Sequence, residues 1–132
     1  MAEPILRIPI NDLPSCLFKE WLVTNGLGGY ASGTILGINT RRHHGLFIPN
    51  LPAPRGRTMM LPFVNESVEV SGRQIFLGGT EFSNGTLEAT GVPFLKEFRL
   101  EWQMPVWVFD INGYVIEKKI LMPYGSNTVY VS

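Results

Sequence analysis

Val106-Trp107-Val108-Phe109-Asp110-Ile111, then Asn112-Gly113, then Tyr114-Val115-Ile116-Glu117-Lys118-Lys119-Ile120, carries the clearest structural signal in the chain. Two runs rich in β-branched and aromatic residues, separated by two residues, read as paired strands. Asn-Gly between them favours a type I′ turn, whose two central residues both need positive φ. Val68-Glu69-Val70 and Arg73-Gln74-Ile75-Phe76-Leu77 flank Ser71-Gly72 in the same manner and predict a second hairpin. Working outward, strand-like runs recur at 19–23, 34–38, 45–48, 58–64, 94–102 and 128–131, and Ser83-Asn84-Gly85-Thr86 marks a further turn. The longest Gly- and Pro-free stretch of mixed polarity, 15–25, ends in Trp-Leu-Val and suits a strand better than an exposed helix. Prolines 49, 52, 54 and 62 confine the segment between them to edge or loop geometry on the surface. The prediction is an all-β fold with little helix.

The chain has 132 residues, room for about one domain and one core. Lys plus Arg is 11 and Asp plus Glu is 11, so the net charge is zero and neither a nucleic acid nor a membrane surface is expected as a partner. Charged residues make up 17% of the chain against a usual ~25%, which suggests that another piece of protein covers part of the surface. The single Cys16 excludes an internal disulfide framework and a cysteine zinc site, and reads as a buried apolar thiol. The start, Met-Ala-Glu-Pro-Ile-Leu-Arg, has no signal-peptide pattern, and no run approaches the ~18 apolar residues of a membrane span. A cytoplasmic protein is expected, and the sequons at Asn65 and Asn84 read as ordinary turns. Val129-Tyr130-Val131-Ser132 reads as a strand in mid-course. The expectation is therefore one incomplete domain over 1–132, whose open sheet edges invite self-association.

Thr24-Asn25-Gly26-Leu27-Gly28-Gly29-Tyr30-Ala31-Ser32-Gly33 is the most unusual stretch. Gly26, Gly28 and Ala31 fit the spacing of a dinucleotide fingerprint, but the β-branched, Gly-interrupted Thr34-Ile35-Leu36-Gly37-Ile38 cannot supply the helix that the fingerprint requires. No cofactor is predicted. Four glycines in eight residues suggest either a tight structural loop or a loop shaped around a ligand or partner domain. In Thr40-Arg41-Arg42-His43-His44-Gly45, two cations and two imidazoles suit carboxylates or sugar hydroxyls, or form a solvated face. A metal is not expected, because adjacent histidines on a strand point to opposite faces and no third ligand is evident. Trp21, Trp102 and Trp107 are sugar-stacking candidates, although aromatics at alternating strand positions more often build the core. Glu66 with Glu69, and Glu97 with Glu101, are local pairs, but nothing nominates the two facing carboxylates of a glycosidase. No catalytic residue is assigned.

At these same residues the sequence resembles a family. Trp21 to Thr34, Gly37, and Thr40-Arg41-Arg42-His43-His44-Gly45-Leu46 are similar to the N-terminal domain of bacterial and archaeal glycogen debranching enzymes of the amylo-α-1,6-glucosidase type. The resemblance continues through Pro54, Arg57, Asn65-Glu66, Gly72, Glu81-Phe82, Phe94-Leu95, Phe98-Arg99-Leu100 and Pro105-Val106-Trp107. It then runs from Lys118 to Met122 and through Gly125-Ser126-Asn127-Thr128-Val129. His43 departs from it, since the family is expected to carry Tyr there. The resemblance implies a β-sandwich of the supersandwich kind, packed on a C-terminal (α/α)6 barrel that is absent here. That barrel's carboxylates would hydrolyse α-1,6-linked glucose at branch points with inversion, one as acid and one activating water. It implies an accessory role for this chain, with glycogen or another α-glucan as substrate of the parent. Thr24, Asn25, Gly26, Gly28, Gly29, Tyr30, Ser32, Thr40, Arg41, Arg42, His44 and Gly45 then become candidates for the barrel interface or the rim of the substrate cleft. A free-standing α-glucan-binding module and a purely structural assembly piece are the alternatives.

Overall fold

The computed structural model describes residues 5–10, 13–64, 66–77, 79–81, 87–88, 91–102 and 104–132. The predicted turn at 83–86, both sequon asparagines and Phe82 lie outside the described residues. The fold is all-β. Its strands are β1 (Ile5–Pro9), β2 (Glu20–Thr24), β3 (Tyr30–Thr34), β4 (Ile38–Asn39), β5 (Gly45–Ile48), β6 (Asn50–Leu51), β7 (Gly56–Arg57) and β8 (Ser67–Val70). They continue as β9 (Arg73–Phe76), β10 (Gly79–Glu81), β11 (Leu87–Glu88), β12 (Leu95–Glu101), β13 (Met104–Ile111), β14 (Tyr114–Leu121) and β15 (Tyr130–Val131). Among the described residues the one α-helix is Leu13–Cys16, and no helix is long and apolar enough to cross a membrane.

Both predicted hairpins form. Ile111 pairs with Tyr114 across Asn112 and Gly113, whose φ values of 52° and 88° give the double positive geometry of a type I′ turn. Val70 pairs with Arg73 across Ser71 and Gly72 in the same way. The larger hairpin is the centre of a five-stranded sheet in the order β1-β12-β13-β14-β15. Its inner face presents Phe98, Trp107, Phe109, Ile111 and Ile120, each at most 2% exposed. They meet Trp21, Ala31, Ile35, Ile38 and Leu46 from the region of the second sheet, β2-β3-β5, and together these residues form one core. Trp21 and Trp107 join the two layers edge to face at 5.4 Å, a contact worth about 0.5–1.5 kcal/mol beyond the area it buries. Cys16 is buried and free, as its apolar setting predicts.

On the outer face of the large sheet, Arg99 and Lys119 flank Val106 across the ladder. Arg99 donates to Glu117 at 2.9 Å and to Glu97 at 3.2 Å, and Val106 beneath is fully buried. The hydrogen bond from Arg99 holds the Glu117 carboxyl below the usual carboxylate range. On the inner face Lys118 reaches Glu66 at 2.8 Å, and its ammonium lies 5.6 Å from the Trp107 ring centre.

Three expectations need correction. Residues 34–38 are not one strand: Thr34-Ile35-Leu36-Gly37 is a buried turn, closed by the Gly37 N–H on the Thr34 carbonyl at 3.0 Å. A continuous apolar run does not distinguish a buried strand from a buried turn. What stabilises the turn is remote in sequence, because the Trp21 indole donates to the Thr34 carbonyl and the Trp107 indole to the Ile35 carbonyl. The Ile35 carbonyl is thus satisfied by an indole, and the Thr34 carbonyl by an indole together with the Gly37 N–H. Residues 58–64 contribute one isolated bridge, Leu61 to Phe47, and Pro62 has no N–H with which to extend it. Tyr30–Thr34, grouped with the Gly-rich loop by its composition, is a strand. The proline-rich segment is a surface excursion as predicted, a short β6-β7 hairpin with residues 52–55 exposed at its tip.

Candidate functional site

The Gly-rich motif is built around Asn25, whose side chain is fully buried. Its Oδ1 accepts the backbone N–H groups of Leu27 at 2.8 Å and Gly29 at 3.1 Å, closing the loop upon itself. Its Nδ2 donates to Asn127 Oδ1 at 2.9 Å, and its carbonyl accepts the Gly125 N–H at 2.6 Å. One asparagine thus fixes the loop and ties it to a turn about a hundred residues later. The glycines make room for this knot. Gly26 has φ of 79° and lies under the Tyr124 ring, where a β-carbon would collide. A β-carbon on Gly29 would come within 2.8 Å of the Asn25 amide and 3.1 Å of Pro49 Cα. The Gly28 carbonyl accepts from Arg57 Nε at 2.8 Å, which anchors the β6-β7 hairpin to the same loop.

The second motif folds over the outer face of β2-β3-β5. Tyr30 Oη and Ser32 Oγ both donate to the His43 carbonyl, at 3.0 and 3.2 Å, so the two motif segments meet. His43 and His44 lie in a turn rather than on a strand. Their rings therefore approach at 4.9 Å instead of pointing to opposite faces. The buried His44 is the hub: Nδ1 accepts the N–H groups of Thr40 at 3.0 Å and Arg41 at 3.1 Å, and Nε2 faces Glu20 Oε1 at 3.1 Å. Arg41 Nε grips the same Glu20 oxygen at 2.5 Å. Because Nδ1 receives two donors it carries no proton, so the neutral ring holds its proton on Nε2 and donates it to Glu20.

Electrostatics follow this geometry. Burial holds the His44 pKa below its ordinary value, outweighing the attraction of Glu20. Burial pushes the Glu20 carboxyl up, but the His44 hydrogen bond and the Arg41 charge outweigh it, leaving the net value lowered. Glu20 also corrects the expectation that no third ligand accompanies the histidines: one ligand atom each from Glu20, His43 and His44 lie within 4.8 Å of one another. The donor set nevertheless fits a metal poorly. An ion on His44 Nε2 would require either a proton on Nδ1, which faces two N–H groups, or an imidazolate. Arg41 would place a second cation on the Glu20 oxygen that the ion needs.

Of the twelve motif candidates, Asn25, Gly29, Ser32, His44 and Gly45 are buried in the scaffold, while Gly28, Tyr30 and Thr40 are half-buried. Thr24, Gly26, Arg41 and Arg42 are exposed. Arg41 is committed to Glu20, whereas Arg42 has no ion-pair partner among the described residues. Of the stacking candidates, Trp21 and Trp107 are core, and Trp102 stands 80% exposed at the β12-β13 turn. Of the scattered carboxylates, Glu66 is held by Lys118, and Glu97 and Glu101 by Arg99, whereas Glu69 has no ion-pair partner among the described residues. Sequence reasoning missed Glu20, Asn127 and Tyr124. Glu20 left a signal, sitting in register with Leu22 and Thr24 on the face that the motifs cover, and Asn127 stands in the stretch 125–129 that carries the resemblance.

The motif residues thus build an all-β scaffold with a glycine knot and a pinned Arg-His turn. Residues 19–132 match the family described as glycogen debranching enzyme N terminal, and the chain belongs to that family. No curated protein and no solved structure matches the chain.

Proposed function

We propose that this chain is the accessory part of a debranching enzyme that hydrolyses α-1,6 branch points of glycogen in the cytoplasm. In this reading it docks on a catalytic (α/α)6 barrel and helps to shape the rim of the substrate cleft. The observation that carries the reading is the Arg42-His43 tip. It is exposed, yet held from beneath by His44, Glu20, Tyr30 and Ser32. A turn pinned at so many points presents its outer side chains in one fixed arrangement, which suits recognition of a partner surface. Carboxylates or helix C-termini on the barrel are the complementary groups for Arg42.

In the whole enzyme, Arg42→Ala is expected to lower kcat/KM on a branched α-glucan about thirtyfold or more, in line with about 2–5 kcal/mol for truncating one partner of a desolvated charge pair. Unchanged kcat/KM together with unchanged thermal stability would overturn the reading. Titrating the isolated chain with maltoheptaose separates it from a glucan-binding module, because interface docking predicts no change in Trp fluorescence.

A further inference from the structure

Strand β2 lies on the outside of its sheet, with β3 on one side and no strand of the described residues on the other. Its hydrogen-bond parity is fixed at both ends. The Asn25 N–H donates to the Gly29 carbonyl, and the Ile35 N–H donates to the Lys19 carbonyl. Residues 19, 21, 23 and 25 are thus the ones bonded to β3. Glu20, Leu22 and Thr24 turn their N–H and C=O groups away from it, as antiparallel alternation requires. This open edge borders a groove of about 460 Å³, lined by Leu22, Val23, Thr24, Trp102, Leu121 and Tyr124 among others. Leu22 is 62% exposed and Tyr124 88% exposed.

We propose that this groove receives an extended strand, supplied by the part of the debranching enzyme that lies outside these residues and carrying apolar side chains at alternate positions. The inference rests on the reading of the chain as one domain of a larger enzyme. A row of alternating donors and acceptors is what a strand satisfies in full. An α-glucan fits less well: the aromatic rings offer stacking, but the lining holds no carboxylate or carboxamide and its hydroxyl side chains are Thr24 and Tyr124, so sugar hydroxyls would compete for main-chain groups spaced for a peptide. Glu20 is the one charged residue of the strand and is already engaged by His44 and Arg41, so the edge favours an apolar partner strand.

Amide hydrogen exchange tests the proposal, comparing the isolated 132-residue chain with the whole enzyme. The amides of Glu20, Leu22 and Thr24 should exchange fast in the isolated chain and about a hundredfold slower in the enzyme, while those of Trp21 and Val23 are protected in both. Leu22→Pro removes an N–H that β3 does not use. It should leave the urea midpoint of the isolated chain unchanged and abolish the added protection at Glu20 and Thr24 in the enzyme. Fast exchange at all three amides in the enzyme overturns the proposal; if amides near Arg42 and His43 gain protection there, the docking reading survives it. Protection in the isolated chain that grows with its concentration assigns the edge to a second copy and overturns the proposal. Protection induced by maltoheptaose assigns the groove to a glucan and does the same.

Discussion

At the scale of the residue, His44 illustrates how a motif side chain serves the scaffold. Its unprotonated Nδ1 receives two backbone N–H groups, so protonation there sets a proton against two donors and breaks the turn. The His44 and Glu20 pKa values are both lowered by folding, so protonation of either group favours the unfolded chain. Stability from this pair is complete above about pH 6.5, falls first as His44 titrates, and falls again below about pH 4.3 as Glu20 does. Urea unfolding at pH 7.5 and pH 5 should show a drop that His44→Ala makes shallower. An unaltered slope in His44→Ala would refute the hub role. The identity of His44 was legible in the sequence, since both motifs stand out by composition. Its inward orientation was not, because it depends on Glu20, a strand away, and on the turn that carries the ring inward.

Among the elements, glycine serves two separable purposes. Gly113 sits in open space at φ of 88°, so its requirement is conformational, and Gly113→Ala should cost about 1 kcal/mol. Gly29 has no positive φ but is walled in by Asn25 and Pro49, so its requirement is room. Gly29→Ala should cost about 2 kcal/mol, within the 1–3 of an overpacked site. Chemical denaturation of both variants measures the contrast; equal and negligible losses would remove the packing account of the motif. The Asn-Gly and Ser-Gly hairpins were readable because turn type, register and residue preference are local. The buried turn at Thr34 was not, since its carbonyls are satisfied by indoles from β2 and β13. Strand β3 was hidden for a related reason: Ala31 has a small side chain and Gly33 none because Val23 and Trp21 fill the space opposite them.

For the whole molecule, the pair of Lys118 and Glu66 connects the central hairpin to the segment leading into β8. Lys118→Met should destabilise the fold by about 3 kcal/mol, because it leaves a partly buried carboxylate without its cation. Lys118→Met combined with Glu66→Gln should recover most of that loss in thermal unfolding, whereas strictly additive losses would mean that the pair is not coupled. Strand runs and balanced charge already predicted a neutral all-β fold, and the groove beside β2 is one place where the sparsely charged surface is exposed. There Leu22, Leu121 and Tyr124 face solvent. The tryptophans carry one more consequence. Two indoles are locked together inside the core and hydrogen-bonded to adjacent carbonyls, while the third is bare at the groove. A collisional quencher therefore reaches Trp102 and leaves the other two dark to it. The touching pair imposes a coupled near-ultraviolet dichroism, so a single unlabelled sample reports separately on the integrity of the core and on whatever enters the groove.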